Sequence, residues 1–417
     1  MSASLGAARR AIGICALLIA HHAWSAEVDH GLPATNVATP SLAVAATNGM
    51  AAVAWYEQDD DGTSVVHWAI SRDHGTTFST PVPAGRVGTI AGFAKPFVAI
   101  VSTARGPSAW LAFPAERDGE LGLAWLHSAD GVTAERIFLA PPPLPEGSEV
   151  GAIAADATGG LHTLWLAGTR VYYVRRDADR WRAPVLIDSS ATQCRVATLA
   201  QRGASEVVAF WHRDLAGGEQ DFAYARSTDD GAAFAAVARV SNDAWGFTSC
   251  PRASPTLSVE GNGAIRFTFE MPGADATTAT RFLVDRSADG VIFKPRTFLD
   301  VDGFADARFA QIAVDRDGGL ALALDGIRNN RRYVIVRHSL GAPDGSRTLD
   351  ADWMRPAAPI VLDRSGAGEA PVLAATDDGI LTVWISREHG TGRVLARRLS
   401  IDQLCGLAPV PDQQRLD

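Results

Sequence analysis

The chain is almost without lysine: of its 38 basic residues only Lys95 and Lys294 are lysines, and arginine carries the rest of the positive charge. We read that bias as coding preference rather than chemistry. No block of basic residues occurs and the net charge is −9, which argues against nucleic acid and against an anionic bilayer as partners. Long apolar runs are missing too. The stretch from Ala11 to Ala20 is too short to span a bilayer. It follows Arg9 and Arg10 and leads into Ala23-Trp24-Ser25-Ala26, the layout of a secretory signal peptide. Residues 1–26 are therefore expected to be removed on export to the periplasm or the medium, with no membrane insertion afterwards. A retained N-terminal anchor is the alternative. Cysteine is scarce: Cys194, Cys250 and Cys405 remain beyond the signal. There is no C-x-x-C or H-x-x-x-H spacing, so no metal centre and no cofactor is expected. Past the signal no stretch has helical periodicity.

What the sequence does hold is a repeated turn. Ser227-Thr228-Asp229-Asp230-Gly231-Ala232-Ala233-Phe234 has a near-copy in Ser71-Arg72-Asp73-His74-Gly75-Thr76-Thr77-Phe78. A shorter version carries Ser287, Asp289 and Phe293, and a frayed one begins at Ser128. Ser and Asp side chains in such a turn bond nearby backbone N–H groups, and Gly supplies positive φ. The aromatic residue then tucks the turn under the sheet it leaves.

Around these turns the chain repeats. Short strands of small apolar residues begin near Ser41, Pro96, Gly151, Arg195, Pro255, Phe309 and Pro371, a spacing in the range of propeller blades. In most modules a Gly-rich turn leads to a second strand, which often holds a tryptophan (Trp55, Trp110, Trp165, Trp211, Trp384). A third strand precedes the repeated turn, and a poorer fourth one ends the module. The seventh module has no fourth strand, and the segment Val28 to Val37 is placed to supply it. The expectation is an all-β fold over residues 27–400: a β-propeller of four-stranded antiparallel blades, closed by strands from both termini. The module count gives seven blades, with six possible, and residues 401–417 read as a tail. A solenoid or an array of β-sandwiches is the alternative.

The S-x-D-x-G-x-x-F turn resembles the Asp-box of sialidase-type β-propellers, the BNR repeat. The stretch from Cys194 through Trp211-His212-Arg213-Asp214 to Asn242-Asp-Ala-Trp-Gly-Phe-Thr-Ser-Cys-Pro251 looks like a secreted bacterial subgroup of that family. The resemblance implies a ligand site at the mouth opposite the Asp-boxes, and six blades as the sialidase norm. A sialidase needs three arginines, a Tyr nucleophile with its Glu, and an Asp acid/base. Its first arginine normally precedes the first Asp-box, but between Glu27 and Ser71 there is no Arg or Lys. No catalytic residue is carried over.

Topology selects the candidates. The repeated turns follow third strands, so the opposite mouth is built from the ends of second strands and the starts of first strands. Those positions hold Tyr56, Glu57, Trp211, His212, Arg213, Asp214, Glu270 and Asp325, with Lys95, Cys194, Arg252, Asp306 and Arg308. Any one of them has a plain reading as a solvated loop residue, but together they are polar, aromatic and two-signed. Cys194 and Cys250 start adjacent inner strands, which makes a disulfide geometrically plausible; free thiols, or a Cys/His metal site with His212, are the alternatives. The expected function is binding of a glycan or another anionic small ligand by a monomeric protein. Against it stand an exo-sialidase or another glycoside hydrolase, with Asp214 and Glu270 as the best carboxylate pair, and a protein-interaction scaffold.

Overall fold

The computed structural model describes residues 30–410, apart from 88–94, 129–134, 241–249, 272–280, 288–293, 340–358 and scattered shorter gaps. The signal segment thus lies outside the described residues, as do Asp289, Phe293 and Arg252 and the side chain of Glu270.

The described residues form seven four-stranded antiparallel sheets. The first contains Ala43–Thr47, Met50–Gln58, Ser64–Ser71 and Val82–Val87. Its order, each strand beside the next in sequence, recurs in sheets two to six. In sheet four the run is Ala197–Arg202, Glu206–Asp214, Gln220–Ser227 and Ala238–Arg239. In sheet six it is Ala305–Val314, Leu320–Arg328, Arg331–Ser339 and Ile360–Val361. The seventh sheet takes Gly368–Thr376, Gly379–Ser386 and Arg393–Ser400, and its outermost strand is His30–Leu32 from the other end of the chain. Seven modules therefore give seven sheets, not six.

The first strand of each sheet packs against the first strand of the next, and that of the seventh against that of the first. The sheets thus follow one another round a ring, whereas a solenoid would leave its end sheets apart. Apolar residues fill the spaces between neighbouring sheets. Tyr56 and Trp68 of sheet one meet Leu111 and Phe113 of sheet two; Phe210 and Phe222 of sheet four meet Phe267 of sheet five, with the Phe210 and Phe267 rings 4.5 Å apart.

The second-strand tryptophans belong to this glue. The Trp55 indole N–H donates to Glu57 at 2.8 Å, that of Trp165 to Thr163 at 2.8 Å, and that of Trp110 to Ser108 at 3.1 Å. Two others reach a carboxylate at or just past the end of the preceding sheet's last strand: Trp211 donates to Asp188 at 2.8 Å and Trp384 to Asp363 at 3.1 Å. Each bond satisfies the one polar atom of a large apolar side chain.

Both full copies of the repeated turn have the same hydrogen bonds. Ser71 Oγ donates to Asp73 Oδ1 at 2.7 Å and accepts from the Gly75 N–H at 2.8 Å, and Thr77 N–H donates to Asp73 at 2.8 Å. In the other, Ser227 Oγ donates to Asp229 at 2.7 Å and accepts from Gly231 at 2.8 Å, and Ala233 N–H donates to Asp229 at 3.0 Å. Gly75 and Gly231 sit at φ 88° and 84°. Phe78 and Phe234 pack against the cores beside their sheets.

The C-terminal stretch read as a tail is only partly one. Ser400 caps a short helix, Ile401–Leu404, in a capping box with Gln403. Leu404 and Val410 are buried with residues of sheets six and seven.

Candidate functional site

The antiparallel registers put the ends of second strands beside the starts of first strands, away from the repeated turns: Arg308 is opposite Asp325, and Ala197 opposite Trp211. The sequence candidates fare differently there.

Tyr56 is buried, and its hydroxyl has no hydrogen-bond partner among the described residues. Burial raises its pKa strongly. The strand continues to Gln58, so Glu57 points to the other face, where it accepts from Trp55. Tyr56 and Glu57 therefore do not form a nucleophile and its base. Trp211, expected at the mouth, is completely buried and offers no face to a sugar ring. His212 is buried as well, its Nδ1 3.1 Å from Thr192 Oγ1 and its ring against Phe222; desolvation pushes its pKa down to about 4. Arg213 lies 3.0 Å from Asp188, and exposed Asp214 accepts from Gln220 at 2.8 Å. Cys194 and Cys250 form a disulfide with Cα atoms 5.3 Å apart, which replaces the metal and free-thiol readings. Among the described residues no group of three metal-ligating side chains exists.

The charged cluster instead forms on sheets six and seven. Asp306 accepts from both Arg308 and Arg332, the latter at 2.6 Å, and Arg332 also donates to Asp325. The second oxygen of Asp325 accepts from the Ala370 N–H at 2.8 Å. Next to it Arg387 pairs with Glu369 and donates to the Val37 carbonyl at 2.9 Å. Asp325 is completely buried, and desolvation lifts its pKa to about 6 in spite of Arg332 and the Ala370 N–H. At Asp306 burial also pushes upward, but the bonds from Arg308 and Arg332 outweigh it and hold the carboxyl below its usual range. Arg308 is about one-third exposed, and its Nε has no hydrogen-bond partner among the described residues.

This cluster is built on strained backbone. Asp306, Phe309 and Ala370 have φ of 46°, 53° and 50°. The register slips on both sides of Arg308 and again between Glu369 and Val372. Left-handed Phe and Ala within strands are uncommon, and bulges of this kind re-aim side chains.

Arg332, Glu369, Ala370 and Arg387 were not among the sequence candidates. One signal was present for Arg332. Asn329 and Asn330, at φ 52° and 59°, form a two-residue hairpin turn that brings Arg332 opposite Ile327, two residues from Asp325. The bulges themselves left no signature.

No protein-family model matches the chain, and no curated protein matches it. Solved structures do. A polysaccharide lyase PL25, an ulvan lyase, is 11% identical over 91% of this chain and 99% of its own, with a TM-score of 0.58. The same lyase bound to GlcA(1-4)Rha3S units is 10% identical over 92% and 99%, with a TM-score of 0.55. The NanB sialidase from Streptococcus pneumoniae is 13% identical over 88% and 69%, at 0.45. Identities this low speak for a shared fold alone, and the sialidase likeness is too distant to carry an argument.

Proposed function

We propose that the chain is an exported seven-bladed β-propeller that binds an acidic saccharide at the mouth, with Arg308 as the principal contact. The observation that carries this reading is the strained, bulged backbone of sheets six and seven, which holds a part-exposed guanidinium at the start of a first strand. Backbone strain concentrates where function needs a fixed geometry. Guanidinium matches a carboxylate or sulfate in a planar, two-pronged way. Arg332, engaged by Asp306 and Asp325, orients that shared carboxylate rather than the ligand.

The likeness to an ulvan lyase supports an acidic polysaccharide as the first ligand class to try, as an analogy of fold. Export rests on the signal-like N-terminus and on the disulfide, which suits an oxidising compartment. Catalysis is not part of the reading. Both oxygens of Asp325 are occupied, and Tyr56 is sealed in the core.

The test is calorimetric titration with a panel of acidic and neutral polysaccharides. Binding confined to acidic members, weakened about tenfold or more in Arg308→Ala as expected for a lost charged hydrogen bond, supports the proposal. Equal binding of neutral members, or an unchanged affinity in the variant, removes it.

A further inference from the structure

The seven first strands enclose a cavity of about 400 Å³ on the axis of the ring. That is room for about a dozen waters, and it lies within the range of small-molecule sites. Its wall differs from the arginine cluster in two respects.

First, each first strand is the edge of its own sheet, so one row of its backbone N–H and C=O groups is left over from sheet pairing. The lining adds the polar residues Thr198, Ser258 and Gln311. Second, Lys95 is the single charged residue in the described lining. Lys95 is exposed, and the protein packed around it lowers its pKa through desolvation. No carboxylate pairs with it among the described residues, so its charge is left for a ligand.

The geometry points to the channel as a binding site in its own right for a small polyhydroxylated monoanion, of which a hexuronate is the test case. The carboxylate pairs with Lys95 Nζ, and the hydroxyls use the strand-edge groups. Other classes fit less well. A neutral sugar leaves the ammonium unpaired, and a dianion brings a charge that nothing on the wall offsets. An aliphatic acid displaces water from the strand edges without replacing its hydrogen bonds, which is costly.

The scarcity of lysine makes the test clean. Lys95, Lys294 and the α-amine are the only primary amines of the chain. Wild-type protein is reductively methylated with limiting reagent, and each site is followed by peptide mass spectrometry. Sodium glucuronate is expected to slow labelling of Lys95 saturably while Lys294 reacts as before, and glucose and acetate at the same concentration leave Lys95 unprotected. Labelling of Lys95 that glucuronate does not change overturns the proposal. So does equal protection by acetate, which reveals an adventitious anion only. A second measurement is calorimetry of glucuronate with Lys95→Met, its fold checked by circular dichroism. An affinity about tenfold lower or worse is expected, and full retention refutes the site. Should the variant fail to fold, the wild-type footprint alone decides.

Discussion

Gly75 and Gly231 occupy the same position in two copies of one turn, at φ 88° and 84°, yet their surroundings differ. A Cβ at Gly75 would stand 2.9 Å from Leu381 Cδ1, the end of a flexible side chain. At Gly231 it would fall on the Tyr173 ring, overlapping Cε1, Cζ and Oη. That ring cannot retreat freely, because its hydroxyl bonds His162 Nδ1 at 2.6 Å and its face packs on Phe234, 5.0 Å away. Alanine at either glycine costs about 1–2 kcal/mol for a left-handed L-residue. At Gly231 overpacking adds about 1–3 kcal/mol, and a disturbed buried hydrogen bond about 1 kcal/mol. Gly75→Ala should therefore cost about 1–2 kcal/mol and Gly231→Ala about 3–6 kcal/mol. With about 2.1 cal/mol/K of unfolding entropy per residue, each kcal/mol moves the melting midpoint of this chain by about 1 °C. Calorimetric scans of the two variants should differ by several degrees. Equal shifts would mean that Tyr173 does not brace the turn, and no shift in either would refute the left-handed assignment.

Acid should weaken the fold through two histidines. Burial lowers the pKa of His162 and of His212 to about 4. Above about pH 6.5 neither state is protonated. Below it the unfolded chain takes up protons that the folded chain refuses, so stability falls as pH drops towards 4, by up to about 3 kcal/mol per histidine. Urea midpoints at pH 7 and pH 4.5 should converge in His162→Gln relative to wild type; an undiminished acid slope would count against a buried neutral imidazole. Asp188 accepts from Trp211 and the Ser189 N–H and forms an ion pair with Arg213. Asp188→Ala strands the buried indole N–H and should cost about 1–3 kcal/mol, whereas a neutral result in chemical denaturation would mean water reaches the indole. The Cys194–Cys250 bridge spans a sequence separation of 56, and loop-closure entropy puts its stabilisation near about 4 kcal/mol. Reduction, or Cys250→Ser, should lower the midpoint accordingly, and an unaltered midpoint would show the bridge not to constrain the unfolded chain.

The sequence by itself determined the sheets. Strand periodicity, Gly-rich turns and the S-x-D-x-G-x-x-F motif act over fewer than ten residues, so the number of modules and the missing strand of the last one could be read directly. His30–Leu32 supplies that strand. The pairing of Cys194 with Cys250 was also within reach, since both begin neighbouring inner strands. Which polar residues serve the mouth was not. Trp211 and His212 look like ligand contacts in one dimension, but the packing of sheet four against its neighbours buries both. The Arg308–Asp306–Arg332–Asp325 cluster joins three strands and depends on bulges at Phe309 and Ala370. A bulge changes which way side chains point without changing composition, so only the tertiary structure could place that charge. The channel is likewise a property of ring closure: no single strand contains it, and Lys95 faces it as the one charged residue of the described lining only once seven edges meet around one axis.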